Sequence, residues 1–389
     1  MKDKFLKFIS DPNYIFGIYL IVSAASAIAK YLGGPLKYNN YLIFKNVFFN
    51  TISQKNIYLL YPDAHFDSNH YGVFFSLLIA PFALLPDWFG IVLWNIANTL
   101  ILIFAIHKLP FSTAKKSFFA WLCLQEFITA AVSVQFNIAL TGLLMLSAVY
   151  IYERKETQSA ISIMIGFFVK LYGIAGLSAF FFVKSKWKFI LSLFGAGILF
   201  LILPMLISSP HFGIKSYADW FQSLSEKNLS NQVLGLRQDF SLMGIVRRVL
   251  GNADISNLYF LIPGMAVFAM PYIRVKQYQN LPFQLMILAS TLLFIVLFSS
   301  GSESPTYIIA VAGVMIWFLM QKKRSAFDIA LLIFVLILTC FSFSDLFPKN
   351  IKDNYILKYS LKALPCCFVW FRVIYELMTK DFEKDYQLD

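Results

Sequence analysis

Residues 71–108 read YGVFFSLLIAPFALLPDWFGIVLWNIANTLILIFAIHK, and the number of times this stretch crosses a membrane decides the architecture. Its second half, Trp88 to Ile106, has about the twenty residues a helix needs to cover roughly 30 Å of hydrocarbon. Its first half, Tyr71 to Leu85, is shorter, carries Pro81 and ends at Pro86-Asp87. Lys and Arg concentrate in cytoplasmic turns of membrane proteins. The polar segment before the stretch, Lys30 to His70, then lies outside, and Lys108 with Lys115 and Lys116 lies inside. One crossing joins the two sides. Tyr71 to Leu85 is therefore expected to lie in, or dip into, the outer leaflet.

The same composition continues from Tyr14 to Met378. Of 389 residues, 59% are hydrophobic and 14% charged, which excludes an ordinary soluble domain. Transmembrane strands would alternate polar and apolar residues, and these runs do not. The net charge of +12 is spread over short clusters between apolar runs, so it marks cytoplasmic turns and does not point to a nucleic-acid partner. Lys2, Lys4 and Lys7 place the amino terminus inside. Ala27-Ile28-Ala29 mimics a signal-peptidase site, but an uncleaved anchor suits a chain that spans repeatedly. Further inside turns are expected at Arg154-Lys155, Lys184 to Lys188, Arg274 to Lys276 and Lys322 to Arg324. Gln158 to Val183 joins two inside turns and carries Lys170 near its middle, so it should enter and return as a broken hairpin with Lys170 near the tip. The remaining spans are Ser117 to Val134, Phe136 to Tyr152, Phe189 to Ile207, Ile255 to Tyr272, Pro282 to Phe298, Thr306 to Gln321, Phe327 to Phe343 and Leu361 to Met378. The expected fold is an all-α, polytopic membrane bundle of about twelve helices with a long first outer loop. It forms one domain over residues 1–389, with both termini inside and no internal repeat. Cys123, Cys340, Cys366 and Cys367 read as small buried apolar residues.

The long polar segments fall outside: Lys30 to His70, Ser208 to Asp254, Ser299 to Pro305 and Ser344 to Ser360. The first holds Asp63, His65, Asp67 and His70, which offer acid, base and cation-binding groups together. A solvated loop with Asp and His capping turns has the same composition. A divalent cation is compatible with this loop, although no set of metal ligands stands out. The second segment holds Arg237, Arg247 and Arg248, whose guanidinium forks match phosphate oxygens and equally attract anionic headgroups. Lys170 and Glu126 lie at membrane depth, where such groups face a cavity or a partner, each being a possible partner for the other. Gln135 and Asn137 flank an outward turn and suit either sugar hydroxyls or turn capping.

The chain resembles glycosyltransferase family 87, the polyprenyl-phosphate-sugar-dependent enzymes of the GT-C membrane fold. The resemblance rests on Tyr71-Gly72 leading to Ala80-Pro81-Phe82-Ala83-Leu84-Leu85-Pro86, then Leu93-Trp94-Asn95, Gln135-Phe136-Asn137, Lys170-Leu171-Tyr172-Gly173, and Asn231-Gln232 with the later Arg248. It implies a GT-C-like bundle that moves a hexose from a polyprenyl-phosphate-linked donor to a glycan or lipid acceptor. The reaction would take place at the extracytoplasmic face of the plasma membrane. Together with the readings of the first loop and of the arginines, it leads us to expect substrate-binding roles for Asn40, His65, His70, Tyr71, Gln135, Asn137, Lys170, Asn231, Gln232, Arg237, Arg247 and Arg248. Members of the family usually carry a catalytic Asp in the first outer loop, four residues before an aromatic. This chain has Asn39-Asn40-Tyr41-Leu42-Ile43-Phe44 there. An amide cannot serve as a base. Asp67, nearest the Tyr71 segment, is expected to take the catalytic role, with Asp63 second and Asp239 and Glu303 next. The competing class is a transporter or flippase for a glycan or lipid-linked substrate. Against it stand the lack of repeated halves and the gathering of polar residues on one side.

Overall fold

The computed structural model describes residues 8–235 and 237–389. Lys2, Lys4 and Lys7 lie outside the described residues. Helix α1 (Pro12–Leu32) opens at Asp11, whose carboxylate accepts the Asn13 amide, and runs unbroken through Ala27-Ile28-Ala29. Then come α2 (Asn39–Ile52), α3 (Phe75–Ala83), α4 (Asp87–Lys108), α5 (Thr113–Val132) and α6 (Asn137–Tyr152). Helix α7 (Glu156–Val169) is followed by a 3₁₀ segment, Leu171–Phe182, and then by α8 (Lys186–Ile202), α9 (Pro210–Asn231), α10 (Leu242–Leu250) and α11 (Leu258–Ala269). Helices α12 (Leu281–Leu297), α13 (Tyr307–Met320), α14 (Ala326–Phe334) and α15 (Leu364–Thr379) complete the bundle. Among the described residues there is no strand, only an isolated bridge between Gln321 and Tyr386.

Four helical stretches are long and apolar enough to cross a membrane: α1, α4, α8 with its extension to Leu206, and α14 with its extension to Phe343. Shorter apolar helices fill the interior, where α6, α12 and α13 are buried nearly all round. The protein is a polytopic helical membrane protein. Helix α3 has 9 residues, too few to cross, so the chain crosses once between the first loop and Lys108.

The hairpin is present as well. The backbone breaks at Lys170 (φ −144°, ψ 123°) and the two arms pack antiparallel, Gly166 against Gly173 and Ile163 against Gly176. A Cβ at Gly173 would lie 2.1 Å from the Phe167 nitrogen, so only glycine admits this approach. The tip then meets the first loop, where the Gly72 amide donates to the Val169 carbonyl (3.2 Å).

Side-chain bonds sort the turns onto two faces. On one face Lys108 meets Glu153 (3.6 Å), Lys188 meets Glu156 (3.3 Å), and the Arg274 guanidinium donates to the Leu377 and Lys380 carbonyls. The carboxy-terminal tail crosses the same face, with Lys322 donating to the Asp385 carbonyl and Ser112 to the Leu388 carbonyl. These are the basic turns expected to share one side. The long polar segments meet at the other face, and two of them contain helices that a search for apolar runs passes over. Helix α2 buries Tyr41, Phe44, Phe48 and Thr51, and α9 buries Phe212, Ser216, Trp220 and Ser223. Both are amphipathic stripes at helical spacing.

Replacing Gly173 with Ala is expected to lower stability by about 1–3 kcal/mol through overpacking at the hairpin tip. Gly195→Ala, at a position with open space around the missing Cβ, should be close to neutral. Thermal unfolding of both variants in detergent checks this, and equal melting would mean the arms separate without loss.

Candidate functional site

The motif residues, scattered along the sequence, converge on the turn between α5 and α6. The Ser133 carbonyl accepts from Asn40 Nδ2 (2.8 Å) and the Val134 carbonyl from Trp94 Nε1 (3.1 Å). Phe136 donates its amide to the Tyr71 hydroxyl (3.2 Å). Val134 has φ 57°, a left-handed conformation that a β-branched residue adopts only when its surroundings impose it. From this turn a polar chain runs outward and inward. Lys170 Nζ donates to Asn137 Oδ1 (2.9 Å), Asn137 Nδ2 to Gln135 Oε1 (2.8 Å), and Gln135 Nε2 to Glu303 Oε2 (3.3 Å).

Two adjoining cavities open beside the turn. The first, about 340 Å³, is lined by Lys30, Lys37, Asn40, Asp67 and Gln135. The second, about 280 Å³, is lined by Lys170, Tyr172, Asn228, Asn231 and Ser299. His70, Tyr71, Gln135, Lys227 and Glu303 line both. Lys170 lies 4.9 Å from the centre of the Tyr172 ring, and Tyr172 shares a 2.6 Å hydrogen bond with Ser299. The Asn231 carbonyl oxygen is buried without a partner, leaving an acceptor for a hydroxyl at the second cavity. Helix α9 roofs the site through bonds from Trp220 Nε1 to the His70 carbonyl (2.9 Å) and between His70 Nδ1 and Ser223 Oγ (3.0 Å).

The expected site residues divide. Asp67, Asn40, His70, Tyr71, Gln135, Lys170 and Asn231 line the two cavities. Asn137 sits behind them, holding Lys170 and Gln135. Asp63 is exposed and lines neither cavity. His65 is buried with Nδ1 against the Asp67 carbonyl (2.7 Å), and Gln232 closes the end of α9. Asn39 accepts the Phe66 amide (3.0 Å) and so ties α2 to the loop. No group of three or more His, Cys, Asp or Glu side chains comes together as metal ligands among the described residues.

The arginine expectation needs correction at two of its three positions. Arg247 is 1% exposed and pairs with Asp239 (2.8 Å), while also donating to the Ile255 carbonyl and Asn257 Oδ1. Arg248 donates to the Leu357, Gly235 and Gln238 carbonyls. Both are occupied holding the segment together, because a guanidinium is the side chain best able to satisfy several carbonyls at once. Arg237 is exposed and lines a separate cleft. Nor does Glu126 meet Lys170. It pairs with Lys362 (2.7 Å), both fully buried.

Lys227 and Glu303 are the residues the motifs did not single out. Lys227 sits on the unforeseen helix α9, and Glu303 precedes α13, donating its amide to Thr306 Oγ1 (3.3 Å). The signal available for Glu303 was a lone carboxylate in a short outer segment, Ser299 to Pro305.

A helical membrane bundle with lysines and carboxylates gathered in a polar cleft at one face has the form of a membrane-embedded transferase. The sequence profile of glycosyltransferase family 87 matches residues 69–300. This is more than half of the 389 residues, and the chain belongs to glycosyltransferase family 87. No curated protein matches it.

His70 is held neutral. Burial pushes its pKa down to about 4, and Lys227 and Lys170 act in the same direction against Asp67. The unfolded chain binds this proton near pH 6.5 and the folded one only near 4, so stability falls as pH drops through that window. The loss is expected to be on the order of 2 kcal/mol in wild type and smaller in His70→Gln. Melting temperatures between pH 7 and 4 read the difference, and parallel curves would remove His70 as the cause.

Proposed function

We propose that this membrane glycosyltransferase moves a hexose from a polyprenyl-phosphate-linked donor to a hydroxyl of a glycan or lipid acceptor. The proposed site of action is the extracytoplasmic face of the plasma membrane. The observation that carries the reading is the position of Glu303 between the first two cavities, with Lys170 and Lys227 beside it. A donor phosphate needs cations, and with Arg247 and Arg248 engaged elsewhere the lysines supply them. The acceptor hydroxyl needs a carboxylate. Its oxygen forms the bond to the anomeric carbon while the bond from that carbon to the phosphate oxygen breaks. The hydroxyl proton passes to the carboxylate, and polyprenyl phosphate leaves. Fixed positive charge beside the departing phosphate stabilises the transition state in a site shielded from bulk water.

Asp67 and Glu303 are the carboxylates of the first cavity. Sequence order favours Asp67 as the base. Position favours Glu303, which is half-buried and common to both cavities, whereas Asp67 is exposed at the rim. We assign proton removal to Glu303 and binding of a sugar hydroxyl to Asp67. Loss of a positioned base lowers turnover by about a hundredfold to ten-thousandfold, the range expected of Glu303→Gln. Asp67→Asn should mainly raise KM, and Asp63→Asn should leave both constants unchanged. Transfer of labelled sugar from a lipid-linked donor in proteoliposomes measures all three. A larger turnover loss at Asp67 than at Glu303 would return the base to Asp67, and solute uptake without transfer would favour the transporter class.

The orientation has its own test. The four native cysteines are buried, so an impermeant thiol reagent has little background. Cysteines placed at Ser68 and Ser225 should label from outside intact cells and one at Ser185 should not. The opposite pattern would place the site in the cytoplasm.

A further inference from the structure

A third cleft, about 490 Å³, opens on the same face. Its walls come from residues 237–240 and from the helical turns Lys349–Leu357, and Glu303 and Ser304 lie between them. Arg248 buckles the walls together, donating to Gly235 and Gln238 on one side and to Leu357 on the other. Ser360 Oγ adds a 2.7 Å bond to the Asp239 carbonyl. Glu303 therefore faces this cleft as well as the two donor-side cavities.

The cleft is cationic on a face where positive-inside sorting disfavours cations. Arg237, Lys349 and Lys352 line it, and among the described residues their side chains have neither an ion pair nor a hydrogen bond. Lys349 and Lys352 are three residues apart on a helical turn and so share one side of it. Asp353 offsets only part of this charge. Next to Glu303, Ser304 Oγ is buried without a partner, a donor and acceptor left unused by the protein. Phe343 forms an apolar wall, backed edge to face at 5.2 Å by the fully buried Phe240 ring.

The second cavity is built almost wholly from residues inside the family match, all but Gly301 and Glu303. The third takes most of its lining from residues beyond Ser300, outside that match. A donor common to the family suits the former, and a substrate particular to this chain suits the latter. We propose that the third cleft binds the acceptor, and that this acceptor is an anionic saccharide carrying a phosphate or a comparable anion. Its charge is held by Arg237, Lys349 and Lys352, its ring lies against Phe343, and its hydroxyl reaches Ser304 and Glu303. This rests on the glycosyl-transfer reading for the word acceptor, but the binding itself does not.

Equilibrium binding to the purified full-length protein in neutral detergent provides the test, with glucose 6-phosphate, glucose and inorganic phosphate as probes. Glucose 6-phosphate is expected to bind more tightly than either of the others. The triple variant Arg237→Gln, Lys349→Gln, Lys352→Gln should weaken it by about tenfold or more, and Asp353→Asn should tighten it. The tightening cannot come from misfolding. Lys170→Gln, which lines the second cavity and not the third cleft, should keep this binding even where sugar transfer is lost, so failure of the chemistry and failure of the acceptor assignment are read separately. Unchanged binding in the triple variant would overturn the proposal. So would glucose or bare phosphate binding as well as the sugar phosphate.

Discussion

One turn of five residues, Ser133 to Asn137, holds the functional face together. It takes a hydrogen bond from α2 through Asn40, from α4 through Trp94 and from the hairpin tip through Lys170, and gives one to Tyr71 of the first loop. Irregular backbone near a bilayer is tolerable only where every polar group finds a partner inside the protein. Here the partners are the side chains that line the cavities or stand directly behind them. The same bonds thus satisfy the turn and aim the site. Val134 takes its left-handed conformation within that arrangement, where its neighbours Ser133 and Gln135 both line the first cavity.

Around this turn the charges are arranged by depth. Arg247 is buried against Asp239, where a single lost partner would strand an ion, and it serves structure. Lys170 is fixed by one hydrogen bond and an aromatic face, which leaves other ammonium protons free. Burial, helped by Lys227 on α9, keeps His70 neutral, so the histidine contributes a hydrogen bond and no charge near neutral pH. The proposed binding of a donor phosphate would gain from this separation. The site's cations are those without carboxylate partners, and its carboxylates are not tied up in salt bridges.

Much of the fold was legible in the sequence because the bilayer imposes simple rules of length and parity. The short Tyr71 segment and the broken hairpin at Lys170 both followed from counting crossings between basic turns, and both are present. Helices α2 and α9 were missed since neither is apolar enough to register as a span. The stripe Tyr41, Phe44, Phe48 could have revealed the first of them. The site was legible where neighbours in sequence stay neighbours in space, as from Asp67 to Tyr71. It was less legible where the chain returns after long excursions, as for Glu303, which the sequence ranked behind Asp67 and Asp63 and which faces Gln135 across 168 residues. Arginine chemistry misled for a related reason. A guanidinium suits phosphate and backbone carbonyls equally, and only the distances to Gly235, Gln238, Ile255 and Leu357 tell which it holds.

The Glu126–Lys362 pair has a consequence for how the protein is made. The partners are 236 positions apart, so α5 reaches the bilayer long before the residue that neutralises its carboxylate has been synthesised. Until then Glu126 must stay protonated or be sheltered, because a lone charge at helix depth is disfavoured by about 2.5–3.5 kcal/mol on insertion scales. Docking of the Leu361–Ala363 turn against Glu126 ends that exposure, and the Phe343 ring lies 4.6 Å from the lysine ammonium. A bundle whose Lys362 turn has not docked keeps an unpaired acid inside it, so this contact between distant parts of the chain is completed late in assembly.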